Sequence, residues 1–592
     1  MSEASNELTG TEDNFLEKYR FWLTSDYFDA ETKRELLAIE NDPAEIENRF
    51  FKGLEFGTGG MRGVMEAGTD RMNIYTVRNA TQGFAQYLRT LYGNDHLLNG
   101  VVIAYDSRRN SYTYALESAR VLAGNGIKVY VFDSLRPTPE LSFAVKYLEA
   151  AGGIVITASH NPKEYNGYKV YGPDGAQMSV SDSDLLESSI RSIRDITEIM
   201  LANLQIARDS GLITDIGKEI DDEFIKSLKT LRIHPEMPAE TLKNVNILYT
   251  PLYGAGNKLV RRLLSEVGFK VDVVSEQELP DCDFPTAPYP NPEDIRSFDS
   301  SIKKAKITGA DLLLATDPDS DRLGVVVRNG EQYVQLTGNQ VGCLLMDYIL
   351  AGKKQNGLIP DNAFVVKTIV STGMAVKIAK YYGVEIIEVL TGFKFIGEQI
   401  KLLQDNGNKK YVFGFEESIG YLSGTFSRDK DGVGASMLVS EMAAYNQQKG
   451  LTLLQAIKGL SEVFGYMMTG TINKVISDDK SGMDKISRAM TSLRKKSLDH
   501  FGSFRVIAVR DYLDGKRWEI NTERIDILNL PQSNVLYYEL DDDAWVCFRP
   551  SGTEPKIKIY YEICDKIEVQ AHLKFLGLES ALLPVIDSLF DV

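Results

Sequence analysis

Residues Gly152 to Lys169 read GGIVITASHNPKEYNGYK. The apolar run Ile154-Val155-Ile156 follows two glycines and stops at Thr157-Ala158-Ser159-His160-Asn161-Pro162. A short β-branched run bounded in this way reads as a buried strand ending in a loop. It delivers a hydroxyl, Ser159, beside an imidazole, His160, with the ammonium of Lys169 further along. A strand end with a hydroxyl and basic groups suits covalent catalysis, because rigid elements position reacting atoms better than loops do. Taken alone, the same residues are also ordinary turn chemistry before a proline.

The flanking sequence alternates helix and strand. Before Ser159 come a helix-like segment at Gln82–Tyr92, a strand at Gly100–Tyr105, a helix at Tyr112–Ala123 and a strand at Lys128–Phe132. A polar helix follows Ser181. The alternation restarts after residue 220, with a strand at Val245–Tyr249, a helix through Leu264 and a turn-rich, strand-poor segment at Phe284–Asp294. An apolar run, Asp311–Ala315, then leads into Thr316-Asp317-Pro318-Asp319-Ser320-Asp321-Arg322 and a strand at Leu323–Val327. A third round spans about residues 338–460. Beyond residue 465 separate strands stand at Arg505–Val509, Val535–Glu539, Trp545–Phe548 and Ile557–Glu562, with a helix at the end.

Strands alternating with helices predict α/β domains with mixed, largely parallel sheets, and the last segment predicts a smaller C-terminal α+β domain. Apolar residues at helical spacing (Phe15, Tyr19, Trp22, Leu23, then Leu36 and Ile39) predict a helical lead-in at 1–55 that packs on the first domain. The expected divisions are 56–205, 206–335, 336–464 and 465–592.

Composition narrows the function. A chain of 592 residues with 43% hydrophobic and 25% charged residues has a globular profile with room for several domains. A net charge of −17 argues against nonspecific binding to nucleic acid or an anionic membrane, which needs a basic face, but leaves room for a small anionic substrate. No stretch approaches the roughly 18 apolar residues of a membrane span. The acidic, polar N-terminus lacks the pattern of a signal peptide. The four cysteines (Cys282, Cys343, Cys547, Cys564) are scattered without zinc or disulfide spacing. The expectation is a cytoplasmic protein.

Four other loops carry candidate chemistry. Phe56-Gly57-Thr58-Gly59-Gly60-Met61-Arg62-Gly63 has glycines that would let backbone N–H groups turn to an anion, and Arg62 can fork onto a phosphate. Asp317, Asp319 and Asp321 alternate, so an extended loop would project all three carboxylates to one side. Three hard oxygen donors suit Mg²⁺. An EF-hand is excluded, since Arg322 and Arg328 stand where glycine and a bidentate glutamate are required. A phosphatase with Asp317 as nucleophile stays open at this point. Glu416, Glu417 and Ser418, between Gly414 and Gly420, offer partners for sugar hydroxyls; a capped turn is the alternative. Arg549-Pro550-Ser551-Gly552-Thr553-Glu554-Pro555-Lys556 is an anion cradle or a hairpin turn.

Together, TASHNP at Thr157–Pro162, DPDSDR at Asp317–Arg322, FEESIG at Phe415–Gly420 and RPSGTEPK at Arg549–Lys556 resemble, in order, the signature loops of the α-D-phosphohexomutase superfamily. FGTGGMRG and Arg428-Asp429-Lys430-Asp431-Gly432 look closest to its phosphoglucomutase and phosphopentomutase branch. The resemblance implies three similar α/β domains and a different fourth around one central cleft. It implies an isomerase that interconverts glucose 1-phosphate and glucose 6-phosphate through a phosphoserine and glucose 1,6-bisphosphate.

Residue roles follow from the same resemblance. Ser159 would be phosphorylated and complete a Mg²⁺ site with Asp317, Asp319 and Asp321. Arg62 and Arg322 would steady its phosphate, while His160 and Lys169 handle protons. Thr391, Gly392, Glu416, Ser418 and Lys430 would grip the sugar, and Arg549, Ser551, Gly552 and Thr553 the non-reacting phosphate. The expected partner is a phosphosugar, and the expected state a monomer or homodimer. Pro318 and Ser320 depart from the glycines common in the family's metal loop. Ile419-Gly420-Tyr421 differs from the His-ending loop of mannose-accepting relatives, which favours glucose phosphate. Pentose or mannose phosphates, an aspartyl-phosphate hydrolase and a non-catalytic sugar-phosphate sensor are the alternatives.

Overall fold

The computed structural model describes residues 9–57, 60–93, 99–476, 480–496, 498–551 and 556–590. The chain forms two compact units. One comprises Met1–Thr337, Gly397–Gly407 and Ile419–Tyr445; the other comprises Gly338–Ile396, Asn408–Ser418 and Asn446–Val592.

The first unit opens with helices Thr9–Thr24, Ala30–Ala38 and Pro43–Phe50, the last two capped by the side chains of Asp29 and Asp42. Tyr19, Trp22, Phe28, Leu36, Ile46 and Phe50 bury their apolar faces together with Ala67 and Tyr75 of the segment that follows. A six-stranded sheet comes next, built from β1 (Gly60–Val64), β2 (Val101–Tyr105), β3 (Val129–Phe132), β4 (Gly152–Ile156), β5 (Tyr165–Tyr171) and β6 (Ile213–Ile216) in the order β1-β5-β4-β2-β3-β6. β4, β2, β3 and β6 run parallel, and β5 is antiparallel to both β4 and β1. Every residue of β2 and β4 is buried, as continuous apolar runs in a two-sided parallel sheet require.

The glycine-rich segment read as an anion loop or a flexible turn runs into a strand. Gly60–Val64 is an edge strand, with Arg62 opposite Gly167. Gly60 sits at φ 134°, and a Cβ there would lie 2.0 Å from the carbonyl oxygen of Tyr168, so glycine serves close strand pairing. Thr58 and Gly59 lie outside the described residues. The helix expected from Gln82 begins earlier, at Ile74, where Asn73 and Thr76 form a capping box.

The second sheet holds β7 (Ile247–Thr250), β8 (Val271–Val273), β9 (Leu312–Thr316), β10 (Leu323–Asn329) and β11 (Gln332–Leu336), in the order β11-β10-β9-β7-β8. Thr316 pairs with Leu323, so Asp317–Arg322 is the tip of the antiparallel β9–β10 hairpin. Among the described residues, the turn-rich segment 284–294 contains no strand.

In the second unit β12 (Ala363–Thr368) pairs parallel with β13 (Glu385–Val389) and β14 (Lys410–Glu416). β15 (Gly420–Ser423) belongs to the first unit. An antiparallel sheet follows, made of β16 (Tyr466–Val475), β17 (His500–Phe501), β18 (Phe504–Asp511), β19 (Lys516–Glu519), β20 (Ile525–Ile527), β21 (Leu536–Leu540), β22 (Trp545–Pro550) and β23 (Lys556–Asp565). Its order is β16-β23-β22-β21-β18-β19-β20, with β17 paired to β18. Helix Glu568–Phe590 buries Ala571, Leu578, Leu582 and Ile586 in that sheet's core. Ile369, Val370 and Leu390 share a second cluster with Trp545, Cys547 and Tyr560, which joins the sheet to the β12–β13 layer.

Candidate active site

Ser159 stands beyond the end of β4, buried, with a left-handed backbone at φ 52°. That strained conformation fits a functional position. Its N–H donates to Thr157 Oγ1 at 2.8 Å, which fixes the bend. Its Oγ donates to Asp317 Oδ2 at 2.6 Å and lies 3.1 Å from His160 Nδ1. Burial first, then the charges of Arg322, Arg62 and Arg108, hold the His160 imidazole well below its ordinary range, against the pull of Asp321.

A residue that sequence reasoning missed organises this loop. Arg108, its side chain fully buried, donates to Ser159 O at 2.6 Å, Pro162 O at 2.8 Å and Tyr165 O at 3.1 Å. It pairs with Asp106 at 3.3 Å, and Asp106 accepts from Thr157 Oγ1 at 2.7 Å. The available signal was position: Asp106-Ser107-Arg108 follows β2, the parallel neighbour of β4, and loops after adjacent parallel strands share one sheet edge. Arg62 reaches the same loop from β1, donating to Asn161 Oδ1 at 2.9 Å.

The acidic triplet is fully buried, and one oxygen from each carboxylate falls within 4.8 Å of the others. A turn gathers them, in place of the extended loop that alternation suggests. Ser320 N–H donates to Asp317 O at 2.9 Å and Ser320 sits at φ 55°. Asp317 Oδ1 accepts the Arg322 N–H at 3.0 Å. Asp319 Oδ2 accepts Lys169 Nζ at 2.8 Å and Thr138 Oγ1 at 3.0 Å. Asp321 Oδ2 meets Lys430 Nζ at 3.1 Å and Lys169 Nζ at 3.4 Å.

Asp319 Oδ1 and Asp321 Oδ1 remain buried without hydrogen-bond partners, although buried carboxylate oxygens are costly to leave so. Burial, then Asp319 and Asp321, pushes the Asp317 carboxyl well above the usual range. Burial also opposes ionisation of Asp321, but Lys430, Lys169 and Arg322 outweigh it and hold that carboxyl low. For Lys169, burial works against the charge while Asp319 and Asp321 raise the ammonium above its ordinary value. Hard, oxygen-only donors with orphaned lone pairs fit a divalent cation.

Lys430, expected at the sugar, has its Nζ 3.2 Å from Asp429 Oδ1 as well as beside Asp321. Asp429 is held by Tyr171 Oη at 2.7 Å and Gln177 Nε2 at 3.0 Å.

The remaining candidates lie in the second unit. Glu416 ends β14, and its Oε1 accepts the Gly392 N–H at 2.7 Å. Gly392 takes φ 126°, a conformation open to glycine, and Thr391 Oγ1 is buried without a hydrogen-bond partner. Thr368 Oγ1 donates to Glu417 at 3.0 Å, and Ser418 follows in the same loop. Arg549 is paired across β22 and β23 with Lys558, and Ser551 N–H donates to Lys556 O at 2.8 Å. Burial first, then the charge of Glu417, raises the Tyr560 phenol, against the opposing pull of Arg549. Gly552 and Thr553 lie outside the described residues.

This fold and these loops are those of a multidomain α/β protein whose buried hydroxyl, acidic triplet and basic groups suit phosphoryl transfer. Models of phosphoglucomutase/phosphomannomutase domains match in sequence order: α/β/α domain I at residues 53–197, domain II at 222–330, domain III at 337–461 and the C-terminal domain at 527–574. The chain belongs to the phosphoglucomutase/phosphomannomutase family. It is 38% identical over 521 residues to a phosphoglucomutase of Staphylococcus epidermidis, covering 88% of this chain and 92% of the relative. A Staphylococcus aureus phosphoglucomutase is 36% identical over 523 residues, with 88% and 91% covered. Among solved structures, the parafusin phosphoglucomutase of Paramecium in its open form superposes with a TM-score of 0.64 at 19% identity, covering 89% of this chain and 95% of that one. A phosphoglucomutase/phosphomannomutase family protein from Burkholderia thailandensis gives 0.63 at 18% identity, covering 90% and 97%.

Proposed function

We propose that the chain interconverts glucose 1-phosphate and glucose 6-phosphate, with Ser159 as the phosphorylated residue and glucose 1,6-bisphosphate as intermediate and activator. The observation that carries this reading is the 2.6 Å contact of the buried Ser159 Oγ with Asp317. The relatives named phosphoglucomutase, 36–38% identical over 88% of the chain, support glucose phosphate as the substrate.

Phosphoryl transfer depends on positioning and charge neutralisation more than on covalent rearrangement. The bond from phosphorus to Ser159 Oγ breaks as one forms to a sugar hydroxyl, whose proton passes to His160, the uncharged group of the pair. Lys169, held as an ammonium by Asp319 and Asp321, can only give a proton. The bisphosphate turns over and returns its other phosphoryl group to Ser159. Arg62 and Arg322 steady the moving group. Thr391, Gly392, Glu416, Ser418 and Lys430 hold the sugar. Arg549, Ser551, Gly552 and Thr553 hold the phosphate that is not reacting. Asp317, Asp319, Asp321 and the Ser159 phosphate would hold Mg²⁺, which when bound would supply Lewis-acid neutralisation of phosphoryl oxygens.

The four-domain division at 56–205, 206–335, 336–464 and 465–592, with 1–55 as a lead-in, belongs to this reading, as do a cytoplasmic setting and a monomer or homodimer. Among the described residues no helix is long and apolar enough to cross a membrane. An aspartyl-phosphate at Asp317 is disfavoured, because it would leave the Ser159 and Arg549 loops without an assigned task.

The test is conversion of glucose 1-phosphate to glucose 6-phosphate with Mg²⁺ and a trace of glucose 1,6-bisphosphate, beside Ser159→Ala. Turnover that vanishes in the variant is expected. An active variant, or a phosphoenzyme cleaved by hydroxylamine, would overturn Ser159 as the phosphoryl carrier.

A further inference from the structure

Thr138 and Asp319 are 181 residues apart in sequence and joined by two hydrogen bonds. Thr138 Oγ1 donates to Asp319 Oδ2 at 3.0 Å, and Thr138 N–H donates to Asp319 O at 2.9 Å. Neither residue is exposed to solvent. Nothing in the sequence reading singled out Thr138, and it touches none of the groups that react.

The bond falls on one particular oxygen. Lys169 Nζ also donates to Asp319 Oδ2, at 2.8 Å, so that atom has two donors. The other oxygen, Oδ1, is buried and has no hydrogen-bond partner. A carboxylate's terminal torsion is broad and two-fold, so its orientation is set by whatever holds its oxygens. Residues that bond a ligand's non-coordinating atom fix its orientation and tune the site.

Thr138 is itself anchored away from the acidic loop. It begins the helix Thr138–Tyr147 between Pro137 and Pro139. Two residues earlier, the buried Arg136 grips Asp221 through Nε at 2.7 Å and Nη2 at 3.1 Å, and its N–H donates to Tyr105 O at 3.2 Å. The hydroxyl is therefore presented by a fixed framework.

We infer that Thr138 is a positioning residue for the cation site: with Lys169 it occupies Asp319 Oδ2 and reserves Oδ1 as the ligand atom. This rests on the acidic triplet being a metal site, as proposed above. The competing role is purely structural, a staple between the helix start and the β9–β10 hairpin. The backbone bond to Asp319 O supplies that staple and survives loss of the hydroxyl, so the two roles separate.

The experiment titrates the full chain with Mn²⁺, reading free ion by electron paramagnetic resonance. Wild type is compared with Thr138→Val, Thr138→Ala, Thr138→Ser and Asp319→Asn, each checked for folding by circular dichroism and thermal melting in chelator. Thr138→Val and Thr138→Ala are expected to weaken Mn²⁺ binding about 10–100-fold, and Thr138→Ser to restore it. Thr138→Ala keeps the test open if the valine misfolds. Wild-type affinity in a folded valine or alanine variant, or no recovery with serine, overturns the inference; a lowered melting point with unchanged affinity assigns Thr138 the staple role. Failure of wild type to take up Mn²⁺, or no effect of Asp319→Asn, instead overturns the metal reading beneath it.

Discussion

Ser159 Oγ donates a 2.6 Å hydrogen bond to Asp317 Oδ2 across 158 residues of sequence. The serine follows β4 and the aspartate follows β9, so two sheets meet at one hydroxyl. Alanine at 159 removes the hydroxyl proposed as the phosphoryl carrier while adding no bulk to a buried site. Ser159→Ala should lower turnover on the order of 10⁴-fold or more, with little change in melting temperature. A coupled assay for glucose 6-phosphate and a thermal melt of the same sample check both halves.

Arg108 should matter for stability as much as for chemistry. Burial pulls its guanidinium below the usual range and raises Asp106, so this pair exists under strong desolvation. Arg108→Met leaves Asp106 buried with its counter-ion gone, at a cost of about 3–5 kcal/mol. It also frees the carbonyls of Ser159, Pro162 and Tyr165 that now converge on Arg108. The expected result is a lower denaturation midpoint together with weaker turnover. An unchanged midpoint would show that water reaches Asp106.

The parts of this architecture legible in the sequence are those written in local patterns. Ile154–Ile156 and Leu312–Ala315 are apolar because both faces of their strands are covered, and each ends abruptly at its polar loop. β16 was not legible: its residues are half-buried or exposed, so Tyr466–Val475 carries no apolar run, and pairing along β23 defines it. The strand pairing of Gly60 was not legible either, because its close partner, Tyr168, is remote in sequence. The Asp triplet could be read as a cation site, but the turn at Ser320 that gathers it could not, since serine gives little warning of a left-handed backbone. Arg108 and Thr138 act through partners brought near only by the completed fold.

Lys146 gives a pH signature away from the acidic site. Burial first, then the charge of Arg428, lowers its ammonium from 10.5 to about 8, against the opposing pull of Asp405 and Asp174. Below about 8 both folded and unfolded chains carry the proton, and the folded state bears the full cost. Between about 8 and 10.5 the unfolded chain binds more proton, so stability from this group rises with pH. The melting temperature of wild type, measured against Lys146→Met, should therefore climb from about pH 7 to about pH 10. A constant difference would place Lys146 in contact with water.

Removing a divalent cation should cost stability as well as activity. The three carboxylates bring ligand atoms within 4.8 Å of one another, and Asp319 Oδ1 and Asp321 Oδ1 have no hydrogen bond. A cation satisfies both oxygens at once and binds only the folded arrangement, because the triplet is gathered by a turn that the unfolded chain lacks. Ligand at 100 times its dissociation constant then stabilises the fold by about 2.7 kcal/mol. Wild type should melt higher with Mg²⁺ than with chelator, and Asp319→Asn should lose that increment. Turnover should vanish in chelator and return on adding Mg²⁺ back. If Asp319→Asn kept the full Mg²⁺ increment, the cation would be binding elsewhere on the chain.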